Sequence, residues 1–370
     1  MPPDLDALLT ALYVLADDFL PKRRGPGRPP RISDAEIVCL AVAQIFLDCP
    51  KERRFLRLAE RRLGHLFPYI PGQSGFNKRV RTLAPMIAQL VTHLAWLSPS
   101  FCDRLRLLDS TPVPCAQSRE TVKRSQLAGY AAYGHCVSHT RFFWGFRLYL
   151  LCAPDGMPIA FELAPANAPE REVAAELLER ALEPGQTVLC DKGFAGQEFE
   201  QLVAALGCQL LRPDRKDERP RFGNLGGIRQ WIESIIHTGK DQLSLERHGA
   251  RTPQGLIARI GQRLLALAAG CFHNWLLGQP GRHFTAYDHQ FGINHLGVPA
   301  PSSVGFRSGI RGSASVRAWV RGLTVVSGWA SVPGRPSALG SVGGRASVWW
   351  RACTLTVGNI SLCGCAFEAR

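Results

Sequence analysis

The sequence predicts an α/β protein: a mixed sheet with helices packed on its faces, preceded by a helical region and followed by a tail of low order. Three observations carry this prediction. Apolar residues recur at helical spacing through the first hundred positions. From Leu105 onward, short apolar runs and amphipathic stretches follow the order β-β-β-α-β-α-β-α, which requires a sheet covered by helices. Beyond about residue 292 both periodicities disappear. The boundaries therefore fall at residues 1–100, 101–290 and 291–370.

In the first region Leu5 to Leu20 has the spacing of one helix. Residues 21–31, Pro-Lys-Arg-Arg-Gly-Pro-Gly-Arg-Pro-Pro-Arg, are too rich in proline and glycine for helix or sheet. Ser33 and Glu36 fit a capping box that opens a helix running toward Asp48. A helix over Glu52 to Leu63 carries Arg53, Arg54, Arg57, Arg61 and Arg62. Ser74 is placed to cap a third, bent at Pro85 and ending near Leu97. Short helices joined by tight turns, one of them studded with arginine, suit a helix-turn-helix-like DNA-binding region. Within the linker, Gly25 to Arg31 has the form of an AT-hook core, which would lay Arg28 and Arg31 in a narrow minor groove; a plain basic linker is the alternative.

The sheet region opens with Leu105-Arg-Leu-Leu-Asp109, an apolar run ending in an acid. Trp144 to Cys152 and Met157 to Leu163 read as strands joined at Pro154-Asp155-Gly156, a turn signal. Phe142, Phe143, Trp144 and Phe146 read as the start of a buried strand, with stacking on unpaired bases as the alternative. A helix over Glu170 to Leu182 stops at Pro184-Gly185, and Thr187 to Asp191 is a fourth strand ending in an acid. Phe199 to Leu206 is helical, Cys208 to Leu211 is a fifth strand, and Ile228 to His237 is another helix, in which Trp231 is expected in the core. A long apolar helix over Pro253 to Leu277 closes the region. Lys123 and Arg124, with Arg119, are expected on a loop facing substrate, with simple surface charge as the other reading.

Charge bounds the partner. Forty-four basic against thirty acidic residues leave a formal +14, which favours a polyanion because each neutralised phosphate releases condensed counterions. Eight arginines and one glutamate in residues 293–370 supply +7 of it. That stretch has no lysine, aspartate or glutamine and is dominated by Gly, Ser, Val, Ala and Trp. It reads as GC-rich DNA translated in a frame never selected for folding, too poor in patterned apolar residues to offset its chain entropy; a solvated nucleic-acid-binding tail is the alternative.

The twelve cysteines form no CxxC pair, and Cys363 and Cys365 lack a second ligand pair at zinc spacing. Free thiols in a reducing cytoplasm are expected. No secretory leader is visible and no stretch of membrane-spanning length is free of charge, so a soluble protein without a membrane partner is expected. No Walker A loop or GxGxxG follows a strand, so no nucleotide cofactor is expected. His135, His139, His237 and His248 have no metal-ligand spacing.

The chemistry is expected from three acids. Asp109 and Asp191 each end a strand, and neighbouring strands of one sheet bring such carboxylates together. Glu233 lies on a later helix, within Arg-Gln-Trp-Ile-Glu-Ser-Ile-Ile, and can approach that edge. Taken singly, each aspartate is more often a turn or cap residue and the glutamate more often a solvated one; it is their shared context that points to a site. Three carboxylates at one point repel unless cations lie between them. Mg²⁺, a hard ion that takes oxygen ligands, is the expected occupant, with Mn²⁺ as substitute. Two ions roughly 3.5–4 Å apart would activate a water or 3′-hydroxyl and stabilise the leaving oxygen of an in-line phosphoryl transfer.

These segments resemble the DDE transposases of bacterial insertion sequences, in the branch with a Tyr-x2-Arg-x3-Glu-x6-Lys signature. Arg229, Glu233 and Lys240 match its last three positions at the right spacing, while the tyrosine position is Gly226, a departure. Leu107-Leu-Asp-Ser-Thr-Pro112 is similar to the family's first-aspartate motif and Asp191-Lys-Gly-Phe194 to its second. Glu246 to Pro253 and the helix to Trp275 resemble its C-terminal portion, so the likeness spans residues 30–280.

The resemblance implies an RNase H-like catalytic domain in which Asp109, Asp191 and Glu233 hold Mg²⁺. Arg229 and Lys240, four before and seven after Glu233, fall on one helical face if the helix continues through Gly239, and would contact DNA phosphates. It further implies cleavage at terminal inverted repeats, strand transfer into target DNA, a homodimer on that DNA and a place on the bacterial nucleoid in the cytoplasm. A nuclease of the same fold that cuts without joining, and a catalytically dead DNA-binding relic, are the competing readings.

Overall fold

The computed structural model describes residues 4–22, 30–136, 141–214, 218, 221, 225–285, 287, 349–357 and 360–368. Five helices come first: α1 (Leu5–Phe19), α2 (Asp34–Phe46), α3 (Glu52–Arg62), α4 (Gln73–Thr82) and α5 (Ala84–Trp96). The capping box at α2 is present in full, with the Ser33 side chain accepting from Glu36 N–H and the Glu36 carboxylate accepting from Ser33 N–H. The expected cap at Ser74 is corrected: α4 starts after Gly72, which makes no side-chain cap. Pro85 does not bend one helix but stands in the first turn of α5, where its missing N–H costs no hydrogen bond.

The sheet follows as β1 (Leu105–Ala116), β2 (Ala132–Cys136), β3 (Arg141–Cys152), β4 (Pro158–Pro165), β5 (Thr187–Leu189) and β6 (Gln209–Leu211), in the order β2-β3-β1-β5-β6 with β4 also on β3. Strand β3 is antiparallel to β1, β2 and β4, whereas β5 runs parallel to both β1 and β6. The sheet is therefore mixed, as the sequence order requires. Strand β1 runs seven residues past Asp109 and contains Pro112 and Pro114. There β1 pairs with β3 alone, so the missing proline N–H groups break no second ladder. The bulge at Pro114/Ala116 presses β1 onto Gly145, where a Cβ would lie 2.2 Å from the Val113 carbonyl oxygen.

Between the strands lie α6 (Arg119–Arg124), α7 (Glu170–Ala181), α8 (Gln197–Ala205), α9 (Gly226–Asp241) and α10 (Pro253–Leu276). Helix α6 stands where a loop is expected, opened by Ser118, whose hydroxyl accepts from Thr121 N–H. Helices α9 and α10 cover the sheet face that carries Leu148 and Leu150, and α7 covers the other. Among the described residues α10 alone is long and apolar enough to cross a membrane, but 83% of its most apolar window is buried, as in a core helix. It packs on α1, α2, α4 and α5, so the N-terminal helices and the sheet share one hydrophobic core. Trp231, expected in the core, is instead 47% exposed on α9, whose buried stripe is Ile232, Ile235 and Thr238.

Two compact units divide the chain at Gly297/Val298. In the second, the structure describes an antiparallel hairpin of β7 (Trp349–Val357) and β8 (Ile360–Glu368), paired from Trp349↔Glu368 to Val357↔Ile360. Thr354-Leu-Thr-Val357 is rich in β-branched residues, which favour a pleated strand. The remainder of residues 291–370 lies outside the described residues.

Two buried histidines give stability a pH dependence. His248 accepts from Ala250 N–H at Nδ1 and donates from Nε2 to the Pro114 carbonyl at 3.0 Å, and burial pushes its pKa down to about 4. His273 donates from Nδ1 to the Tyr287 hydroxyl at 2.9 Å and is likewise pushed by burial to about 4. Both are neutral in the fold, while an unfolded histidine takes a proton near pH 6.5. Their contribution is present above that value and is lost as pH falls toward 4. The denaturant midpoint is expected to fall between pH 7 and pH 5 by the equivalent of roughly 2 kcal/mol per histidine. A His248→Gln variant with an undiminished slope would contradict this.

Candidate active site

Two of the three acids expected to carry chemistry stand at matching depth on neighbouring parallel segments of the sheet. Strands β1 and β5 are in register at Leu107↔Leu189, and Asp109 and Asp191 each stand two residues farther on. Adjacent strands lie about 4.8 Å apart, and residues two apart share a face. The two aspartates thus follow from neighbouring parallel strands at matching depth. Asp109 Oδ1 accepts from Ser110 N–H at 2.7 Å, and Asp191 Oδ1 accepts from Lys192 N–H at 2.7 Å. Each carboxylate is thus held by the N–H of the residue that follows it. Burial raises the Cys190 thiol pKa, and the charges of Asp191, Asp109 and Glu200 raise it further against the opposing charge of Arg212.

Helix α9 closes the site from the side. Ile232, Ile235 and Ile236 line a small hollow together with Leu107, Asp109, Leu150 and Cys152. Glu233 follows Ile232 on α9 and is exposed, and it is not one of the residues that line the hollow. The helix continues through Gly239, as the signature spacing requires, and Lys240 lies 3.2 Å from Glu246 in an ion pair. Arg229 is in the first turn of α9, and its side chain lies outside the described residues. Among the described residues, no group of three or more His, Cys, Asp or Glu side chains stands at metal-holding separation. The donor chemistry nevertheless fits a hard divalent cation: two carboxylates in register, with a third on the helix packed beside the first.

The other expected contacts lie apart. Lys123 and Arg124 are exposed on α6, 3.6 Å and 3.9 Å from Glu120. Arg31 stacks over the Tyr69 ring at 4.1 Å, and Arg28 lies outside the described residues. Arg53, Arg54, Arg57, Arg61 and Arg62 are all exposed on α3. Arg53 and Arg57 line a cleft of about 580 Å³ between α3 and the start of α4, opposite Gly72, Gln73 and Ser74. Of the aromatic run, Phe143, Trp144 and Phe146 are buried as expected, but Phe142 is 75% exposed, with its ring against that of its β2 partner His135.

Sequence reasoning missed one cluster. Glu170, read only as the start of a helix, accepts from the Ser110 hydroxyl and forms an ion pair with Arg147 at 3.4 Å. An acid in the first helical turn is expected from the helix dipole alone, so nothing local marks it as special.

Residues 100–269 match the family model described as the transposase DDE domain. The match covers Asp109, Asp191, Arg229, Glu233 and Lys240, and it supports a DDE transposase domain in this stretch. No curated protein matches the chain. Among solved structures, a piggyBac transposase synaptic complex with hairpin DNA aligns with TM-score 0.41 and 8% identity, over 76% of this chain and 78% of that one.

Proposed function

We propose, from a transposase DDE domain over residues 100–269, that the chain cuts DNA at the ends of a bacterial insertion sequence and joins them to target DNA, with an RNase H-like catalytic domain. The observation that carries this is the matched depth of Asp109, inside β1, and Asp191, just beyond β5, each two residues past the Leu107↔Leu189 pair of those parallel strands. Asp109 and Asp191 would hold Mg²⁺ or Mn²⁺, with Glu233 reaching from α9. The bound cations supply activation of the attacking oxygen and stabilisation of the leaving one. Lys240 and Arg229 would neutralise phosphates on either side of the scissile bond, and the exposed Lys123 and Arg124 on α6 would contact the duplex farther away, which positions the strand without reading its sequence. The Tyr-Arg-Glu-Lys branch is the reading that Arg229, Glu233 and Lys240 support, with Gly226 departing from it. Concerted cutting of two ends implies a homodimer on the DNA, working on the nucleoid.

The N-terminal helices would grip the terminal repeat. A row of exposed arginines along α3, opening into the cleft at α4, has the charge to follow a phosphate backbone. Replacing Arg53, Arg57 and Arg61 by alanine is expected to flatten the salt dependence of duplex binding, by about 0.9 in the log–log slope for each phosphate no longer neutralised. Anisotropy titrations at several salt concentrations read this directly. An unchanged slope would move the grip elsewhere.

The deciding experiment incubates the full chain, and a form ending at residue 292, with labelled duplex carrying the element's end, in Mg²⁺ or EDTA. Metal-dependent nicking at the repeat boundary followed by joining is expected. Nicking without joining would leave a nuclease, and binding without cutting by either form would leave a relic. Cutting by the short form alone would make the tail the defect.

A further inference from the structure

The two aspartate-bearing segments are tied together from behind by consecutive residues of one helix. Ser110 alternates with Asp109 on β1 and so points to the opposite sheet face, where its hydroxyl donates to Glu170 Oε1 at 2.5 Å. Arg147 Nη1 donates to that oxygen at 3.4 Å and to the Ser110 hydroxyl at 3.3 Å, while its Nη2 donates to the His135 carbonyl on β2 at 2.7 Å. The other Glu170 oxygen faces the turn after Asp191, since a Cβ on Gly193 would lie 3.4 Å from Oε2. Next in sequence, Arg171 Nη1 donates to the Ala195 carbonyl at the end of that turn, at 3.2 Å. The same guanidinium lies across Gly196, where a Cβ would come within 2.3 Å of it.

We propose that Glu170 and Arg171 are positioning residues, a clamp at the start of α7 that sets the separation of Asp109 and Asp191 and thereby the site's affinity for its divalent cation. The inference rests on the reading of these aspartates under Proposed function. One residue holds β1 at Ser110, and the next holds the turn that Asp191 opens. The helix between them and the core is stiff, because Ala174, Leu177 and Leu178 are buried on the same face. Carboxylates that bind one ion must keep their spacing while they repel each other, and outer partners supply that constraint. A glutamate that merely favours the helix dipole would leave cation affinity untouched.

The test is a Mn²⁺ titration of the full chain followed by electron paramagnetic resonance, alongside duplex binding in EDTA and the thermal midpoint. Glu170→Ala and Arg171→Met are each expected to weaken Mn²⁺ binding about 10-fold, the lower end for removal of an outer partner of a metal site. Glu170→Gln and Arg171→Lys keep an acceptor and a donor, so they are expected to bind Mn²⁺ nearly as the parent does. Duplex binding in EDTA stays at the parent level in all four. Parent-like affinity in Glu170→Ala and Arg171→Met, with affinity abolished in Asp191→Ala, overturns the clamp and spares the reading of the site. A loss in Glu170→Gln equal to that in Glu170→Ala would make charge, not position, the cause and also overturns it. Undiminished Mn²⁺ binding in Asp191→Ala overturns the site reading, and the clamp with it. If Arg171→Met fails to fold, the two Glu170 variants decide.

Discussion

Asp191→Ala is expected to reduce metal-dependent cleavage by a factor on the order of 10³ or more, while duplex binding and the thermal midpoint change little. The size follows from the chemistry. A carboxylate that holds a cation at the reacting phosphate is worth several kcal/mol of transition-state stabilisation, and about 4 kcal/mol is a thousandfold in rate. The small structural effect follows from its place. Asp191 lies beyond the last paired residue of β5, and its local task is to accept from Lys192 N–H ahead of a single short turn. Losing such a cap costs about 1 kcal/mol. The measurement is single-turnover nicking of an end-bearing duplex, with Asp109→Ala as the matched partner. Equal cutting by parent and Asp191→Ala would remove the acidic site from the mechanism.

The largest stability effect is expected where the N-terminal helices meet α10. Glu52 is 7% exposed, accepts from Arg259 on α10 and from Asn77 on α4 at 2.7 Å, and so links three helices. Arg259 also donates to Gln44 at 3.2 Å and to Gln262 at 3.3 Å. Burial lowers the Arg259 pKa and the charge of Glu52 opposes that shift. Glu52→Ala leaves a buried guanidinium without its counter-ion, which costs about 3–5 kcal/mol. Replacing both residues by apolar ones of similar volume is expected to recover much of the loss, because neither charge then needs to be desolvated. Urea unfolding of the two single variants and the double variant measures the coupling. A loss below about 1 kcal/mol in Glu52→Ala would show that water reaches the pair.

Local pattern was enough for most elements. Apolar runs on either side of Pro154-Asp155-Gly156 marked β3 and β4, the Ser33–Glu36 spacing marked the start of α2, and an apolar run ending in an acid picked out Asp109 and Asp191 one at a time. Each of these signals is confined to a few neighbouring residues, where propensity and side-chain period act directly. Element ends were less legible. Strand β1 continues through two prolines because its outer edge is open there, which depends on where β5 stops. Trp231 is exposed although its spacing allowed a core position, because the packing of α9 selected Ile232 and Ile235 instead.

What the sequence by itself determined was therefore the inventory: a basic chain, a helical N-terminal region, a mixed sheet and three acids in a recognisable order. Tertiary structure alone decided the relations. The β1–β5 register brings acids 82 positions apart to the same depth. The Ser110–Glu170–Arg147 contacts tie that depth to α7, and the Glu52–Arg259 pair joins residues 207 apart through the shared core. No local pattern encodes such pairings, because the free energy of a buried ion pair or a strand register depends on which surfaces exclude water together.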